Sequence, residues 1–148
     1  MRLEELKKAR LMVAILNRYK DVSVDSFGGS RRSQSIIRIR EFPSGKPRVA
    51  LYAKHATREH GPSGHFWGVT GNHIDSLNTN ICPWWLVLLF GDQEEGYVLS
   101  ADQVNRCISS GDWPSETPRS EYKIHDSTLP TQVSRFTTFT DLFRAIGW

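Results

Sequence analysis

The stretch SIIRIREFPSGKPRVALYAK, residues 35–54, decides the fold of this chain. Over residues 37–40 isoleucine alternates with arginine, which is the two-residue period of a β-strand with one buried face. Residues 43–47 contain two prolines and a glycine and predict a turn, and residues 49–54 predict a returning apolar strand. We therefore predict a β-hairpin, and we assign the rest of the chain around it.

The residues before the hairpin predict a helix and a strand. Over residues 3–19 apolar side chains recur at intervals of three or four, which predicts a helix with one apolar face. The side chains assigned to that face are Leu3, Leu6, Met12, Val13, Leu16 and Tyr19. Residues 22–25 alternate valine with polar residues and predict a short strand, and a turn at 27–30 leads into the hairpin.

The residues after the hairpin alternate between strand and helix patterns. We predict a loop at 55–65, a strand at 66–69, a helix at 72–77 capped by Thr70, a buried central strand at 84–90, a strand at 97–99 and a helix at 101–108 capped by Ser100. The tail, 110–148, is predicted to wrap the domain as an ordered loop anchored by Trp113, Tyr122 and Ile124. It is predicted to end in a short helix at 141–146 that Thr140 caps.

This order of elements predicts the fold class. Helices alternating with strands indicate an α/β protein with a mixed central sheet flanked by helices. A length of 148 residues matches one domain, which we assign to residues 1–148 with its core at about 3–108.

The charge of the chain is divided unevenly. Residues 1–60 contain 14 Lys or Arg and 6 Asp or Glu, which gives a net charge of +8. Residues 61–148 contain 5 Lys or Arg and 10 Asp or Glu, which gives a net charge of −5. The two add to the +3 of the whole chain. A basic part favours an anionic partner, above all nucleic acid and in particular DNA. The alternative is that these side chains only solvate the exposed faces of an outer helix and a hairpin.

The nucleic-acid contact is predicted on basic side chains in and around the hairpin. Two would enter its first strand from the glycine turn, two share one face of that strand, and two flank the hairpin turn. They are Arg31, Arg32, Arg38, Arg40, Lys46 and Arg48. Trp67, Trp84 and Trp85 are further candidates, because tryptophan stacks on bases, although core packing accounts for at least one of them.

Composition argues against several other classes. The longest apolar run, Trp84–Phe90, is seven residues, too short for a membrane span, and the first residues are charged rather than apolar. We therefore expect a cytoplasmic protein with no membrane partner. Cys82 and Cys107 are too few for a disulfide framework. We assign no metal ligands, because His55, His60 and His65 lie in a loop without the spacing of a zinc enzyme.

The helix and the hairpin together resemble the PD-(D/E)XK superfamily, the restriction-endonuclease-like proteins. That family begins with a helix and a three-stranded antiparallel meander, in which an Asp opens the second strand and a Glu-X-Lys or Gln-X-Lys triplet ends the third. Here Tyr52-Ala53-Lys54 ends the third strand, so Lys54 matches the lysine and Tyr52 stands at the carboxylate position. Gln34 or Ser35 opens the second strand.

The resemblance implies a nucleic-acid-binding domain that has lost the acidic groups with which the family holds Mg²⁺. It also implies a bacterial defence or restriction context, with no cofactor unless the chain is an active, Mg²⁺-dependent nuclease. Two alternatives remain open from the sequence. One is such a nuclease, with Asp25 and Lys54 as catalytic residues, and the other is a module that binds an acidic protein or a small ligand.

Overall fold

The computed structural model describes residues 3–27, 35–56, 58–60, 64–79, 82–115 and 121–147. In chain order their elements are α1 (Leu3–Arg18), β1 (Val22–Phe27), β2 (Ile36–Glu41), β3 (Pro47–His55), β4 (Arg58–His60), β5 (Gly64–Thr70), α2 (Gly71–Asn78), β6 (Trp84–Phe90), β7 (Glu95–Ser100), α3 (Ala101–Ser109), β8 (Glu121–His125), a 3₁₀ turn (Asp126–Thr128), β9 (Ser134–Phe136) and α4 (Phe139–Ala145).

The strands form two sheets. The main sheet has the order β1–β2–β3–β6–β7–β9, and the small sheet has the order β4–β5–β8. In the main sheet β3 and β6 run parallel, whereas the other neighbouring strands are antiparallel. A parallel pair requires a long crossover, which β4, β5 and α2 provide here. Strands β1, β2 and β3 therefore form an antiparallel meander that leads into the crossover.

Each face of the main sheet carries its own apolar cluster. Helices α1 and α4 pack on one face, where Leu11, Ile15 and Leu142 are fully buried. Helices α2 and α3 and the small sheet cover the other face, where Trp67 and Val104 are fully buried. The predicted α/β fold with a mixed sheet flanked by helices is confirmed, and the described residues form a single domain.

The strongly patterned elements lie where the sequence predicts them. Both hairpin strands are present, and Trp84–Phe90 forms the central strand β6, fully or mostly buried on both faces. Ser100 caps α3 by accepting a hydrogen bond from the backbone N–H of Gln103, whose side chain accepts from the Ser100 N–H in return.

Several predictions about the loop and the tail are wrong. The predicted loop at 55–65 contains β4 and the beginning of β5. The tail does not wrap the domain as a loop. It supplies β8 to the small sheet, β9 to the main sheet and α4 to the core, and Thr138 rather than Thr140 caps α4. These strands have three or five residues, which is too short for alternation to show.

Helix α1 buries a different face from the one that its apolar spacing predicts. Its buried side chains are Lys7, Lys8, Leu11 and Ile15, whereas Leu3, Val13 and Leu16 are exposed. Lys7 is only 1% exposed, and its Nζ donates to the carbonyl oxygens of Phe90 (2.7 Å) and Gly91 (3.2 Å), just where β6 ends. A charged side chain thus fastens the helix to the central strand.

Both cysteines are free thiols. Cys82 is half-buried, and Cys107 is buried on α3, where burial raises the pKa of its thiol. Among the described ranges, no helix has the length and apolar character needed to cross a lipid bilayer.

Candidate functional site

The meander brings the positions named by the sequence resemblance together at one end of the main sheet. The backbone N–H of Ala53 donates to the carbonyl oxygen of Ser35 (2.8 Å), and Ile36 stands opposite Tyr52. Ser35, Tyr52 and Lys54 are therefore neighbours across the β2–β3 pair. Gln34 lies outside the described residues.

Tyr52 occupies the carboxylate position as a buried, hydrogen-bonded phenol. Its side chain is fully buried, its hydroxyl accepts the backbone N–H of Thr70 (2.9 Å), and that hydroxyl lies 3.2 Å from Nδ1 of His73. Burial and the carboxylate of Glu121 raise the pKa of Tyr52, although the Thr70 hydrogen bonds oppose this shift. The phenol therefore stays protonated and neutral at physiological pH.

The contact with Tyr52 and the lowered pKa of His73 agree on a neutral imidazole. Nδ1 of His73 lies within hydrogen-bond distance of the Tyr52 hydroxyl and can accept its proton when the imidazole is neutral. An accepting Nδ1 makes His73 neutral, with its proton on Nε2. Burial, and then the positive charge of Lys54, lower the pKa of His73 and favour the same neutral form.

The acid dependence of stability tests this assignment. In the unfolded chain the pKa of His73 is about 6.5, and in the folded protein it is lower. The unfolded state therefore takes up the proton first as pH falls below about 6.5, and the free energy of unfolding decreases. We expect His73→Gln to lose less stability than the natural protein between about pH 7.5 and about pH 5.5, measured by urea unfolding at both values. Equal losses in the two proteins would contradict the neutral assignment.

The described residues at this end do not fit a Mg²⁺ ion. Magnesium prefers carboxylate oxygens and water, whereas Tyr52 is a neutral phenol engaged with Thr70 and His73, and Lys54 is a cation. Glu121, whose charge acts on Tyr52, belongs to the small sheet and is exposed. Within the described ranges, no three His, Cys, Asp or Glu side chains are grouped so that they could hold a metal ion.

The structure does not bring Asp25 and Lys54 together, which corrects their pairing as catalytic residues. Asp25 stands opposite Arg38, which stands opposite Ala50, four residues before Lys54 on β3. Two strand spacings and four residues separate Asp25 and Lys54 by roughly 16 Å. Asp25 instead forms an ion pair with Arg38, whose Nε donates to Oδ1 at 3.3 Å and whose Nη2 lies against Oδ2.

Basic side chains of the meander share the sheet face on which Lys54 lies. On β2, Arg38 and Arg40 alternate with the buried Ile37 and Ile39, so they project from the same face as Tyr52 and Lys54. Both arginines are half-buried, on the strand next to the edge strand β1. We call this surface, made of Ser23 and Asp25 on β1 and of Arg38 and Arg40 on β2, the meander face.

The other predicted binding residues are distributed around the hairpin turn. Lys46 and Arg48 are exposed at the turn, and the guanidinium of Arg48 lies 5.7 Å from the centre of the Tyr19 ring, towards the α1 side of the sheet. Arg31 and Arg32 lie outside the described residues. Four of the six predicted residues thus belong to the β2–β3 hairpin, with Arg48 turned away from the meander face.

The tryptophans correct a further expectation. Trp67 is fully buried and its indole N–H donates to the carbonyl oxygen of Leu89 (2.8 Å), and Trp84 is 4% exposed. Neither can stack on a base in this fold, and Trp85 is half-buried against the α1 side of the core. The Trp67 contact fastens the small sheet to the central strand.

Sequence reasoning missed the roles of the histidines. His73 contacts Tyr52, which is 21 residues away in the chain, and no local spacing predicts such a contact. His55 places one ring nitrogen 3.1 Å from the carbonyl oxygen of Ala56 and the other 3.0 Å from that of Gly91. Nδ1 of His65 lies 3.1 Å from Oδ2 of Asp126. The side chain of His60 lies outside the described part of the chain.

The meander face and the Tyr52 end of the sheet are therefore the two features with chemical character at this site. The meander face presents guanidinium groups beside the carboxylate of Asp25, and the Tyr52 end has a neutral phenol and Lys54 at the positions compared with the family's triplet. Comparison with models of protein families, with curated proteins and with solved structures found no match to this chain.

Proposed function

We propose that this chain is a DNA-binding domain of restriction-endonuclease-like fold whose catalytic site is degenerate. The observation that carries the proposal is the register of the meander. It aligns Tyr52 and Lys54 at one end of a sheet face and Arg38 and Arg40 farther along the same face, with Ser35 beside Ala53 on the opposite face. A helix followed by a three-stranded antiparallel meander is the beginning that the family shares, and α1 with β1–β3 has this form.

The chemistry at the strand end supports a role in binding without cleavage. Metal-dependent nucleases need acidic oxygens to hold the ion that polarises phosphate and activates water. Tyr52 keeps its proton, and its hydroxyl is engaged with Thr70 and His73. Lys54 remains, and an ammonium group can attract a phosphate oxygen without a metal ion.

The charge distribution supports a polyanionic ligand. Arg38, Arg40 and Lys46 follow the β2–β3 hairpin, and the part of the chain that contains them has the excess of basic residues. Phosphate contacts of this kind position a protein on DNA without reading its sequence. The proposal extends to a cytoplasmic protein of a bacterial defence or restriction system, as the resemblance implies.

We expect the protein to retard a labelled DNA duplex in a mobility-shift assay and to leave plasmid DNA uncut in Mg²⁺ or Mn²⁺. Retardation follows from the basic hairpin, and the intact plasmid follows from the missing carboxylates. Gel electrophoresis of the plasmid after incubation with purified protein and with a mock preparation checks the second expectation.

Two outcomes would reject this proposal. Nicking by the natural protein that disappears in Lys54→Ala, and is absent from the mock preparation, would establish an active nuclease. Co-purification of an acidic protein, together with no shift of DNA or RNA, would establish the interaction module.

A further inference from the structure

Helix α1 carries an apolar stripe on the side that faces away from the core. Leu6, Ala9, Val13 and Leu16 fall within roughly 80° of one another around the helix axis, and roughly opposite Leu11 and Ile15. Val13 is 55% exposed and Leu16 is 47% exposed, whereas Leu11 and Ile15 are fully buried. The stripe is not needed for the contact with the sheet.

A helix that lies on the surface of a domain ordinarily presents polar side chains to water. The spacing of the stripe is three, four and three residues, which matches two successive a and d pairs of a heptad. Such a seam fits a second helix with the same spacing. A groove of about 620 Å³ runs beside it, and the β6–β7 turn forms its far wall with Gln93 and Glu94.

Charges on both sides of the stripe determine which helix fits. Glu5 borders the stripe on one side and Arg10 borders it on the other, at the g position of one heptad and the e position of the next. When two copies of α1 lie side by side and parallel, Glu5 of each copy faces Arg10 of the other. The antiparallel arrangement does not produce these pairs.

We propose that a second copy of this chain docks on α1, with the two helices parallel about a two-fold axis. A two-fold axis makes every contact occur twice, so the stripe packs on itself and both Glu5–Arg10 pairs form. This goes beyond the proposed function and does not depend on it. A closed pair would present two meander faces.

The short stripe limits the strength of this association. From Leu6 to Leu16 the helix rises only about 15 Å, so the contact is smaller than the roughly 800 Å² per partner of a stable complex. We therefore expect a reversible dimer with a dissociation constant between about 10 μM and about 300 μM.

Sedimentation velocity of the natural chain tests the proposal, over about 5 μM to 1 mM protein, a range that brackets the expected dissociation constant. The expected result is a concentration-dependent shift from monomer to dimer. Val13→Asp is expected to remain monomeric throughout, because it places a charge in the seam, whereas Ser76→Asp, at an exposed position of α2, is expected to dimerise as the natural chain does. Circular dichroism of each variant checks that it is folded.

Charge reversal identifies the orientation of the helices. Arg10→Glu is expected to weaken the dimer at least tenfold at low salt, and Glu5→Arg combined with Arg10→Glu is expected to restore it. A natural chain that stays monomeric over the whole range would overturn the proposal. So would a dimer that Val13→Asp leaves intact, or one that the double reversal fails to restore.

Discussion

Replacing Arg38 and Arg40 together with glutamine is expected to weaken duplex DNA binding by roughly 60-fold at about 0.1 M salt. Each lost phosphate contact removes about 0.9 from the slope of log affinity against log salt, so two contacts account for about 1.8. Both side chains are half-buried on the face of β2 opposite the buried Ile37 and Ile39, so the domain is expected to stay folded. Fluorescence anisotropy of a labelled duplex at several salt concentrations measures both quantities.

Two further variants serve as controls for this result. Asp25→Asn is expected to tighten binding several-fold, because it removes the carboxylate that pairs with Arg38. Lys123→Gln combined with Arg144→Gln is expected to change the affinity little, since both side chains are exposed outside the hairpin. A loss in this pair equal to that of the arginine pair would mean that the meander face is only a solvated surface.

Lys7→Ala is expected to lower the free energy of unfolding by about 3 kcal/mol or more. The substitution removes the buried aliphatic part of the Lys7 side chain. It also leaves the carbonyl oxygens of Phe90 and Gly91 without the hydrogen bonds that Nζ donates. Urea unfolding followed by circular dichroism gives the difference.

Two other substitutions separate the contributions of Lys7. Lys7→Met keeps the apolar stem and loses only the donors, so we expect a smaller loss of about 1–3 kcal/mol. Lys20→Ala, at an exposed position just after α1, is expected to change stability by less than about 0.5 kcal/mol. A loss in Lys7→Ala no larger than that of Lys20→Ala would show that the buried lysine does not fasten α1 to the central strand.

The elements that the sequence predicts correctly are those whose pattern is local. Strands β2 and β3 show alternation and a turn, Trp84–Phe90 is apolar throughout, and Ser100 stands three residues before Gln103 as capping requires. These signals come from neighbours in the chain, so they can be recognised without knowing the fold. The mixed sheet with flanking helices follows from their order.

The features that the sequence misses depend on partners that are distant along the chain. Strand β9 has three residues and exists because β7 offers it an edge. Lys7 is buried because carbonyl oxygens 83 and 84 residues later accept hydrogen bonds from its Nζ, whereas a lysine in a sequence is ordinarily assigned to the surface. The outward apolar stripe of α1 misled the prediction of its buried face, because the spacing within a helix does not show which face packs on the sheet.

The same distinction between local patterns and distant partners applies to the candidate site. The place of Lys54 and the absence of a carboxylate at Tyr52 can be recognised from the sequence, because both depend on one strand. The bond between Tyr52 and His73 and the ion pair between Asp25 and Arg38 depend on the register of strands and on the crossover helix. No spacing in the sequence predicts either.

The salt dependence of DNA binding by the natural protein tests the central claim most directly. Three described basic residues of the hairpin, Arg38, Arg40 and Lys46, predict a slope of about −2.7 for log affinity against log salt on a duplex, since Arg48 is turned away from the meander face. Contacts from Arg31 and Arg32 would steepen it to about −4.5. A slope shallower than about −1, or no saturable binding to DNA at low salt, would contradict the account.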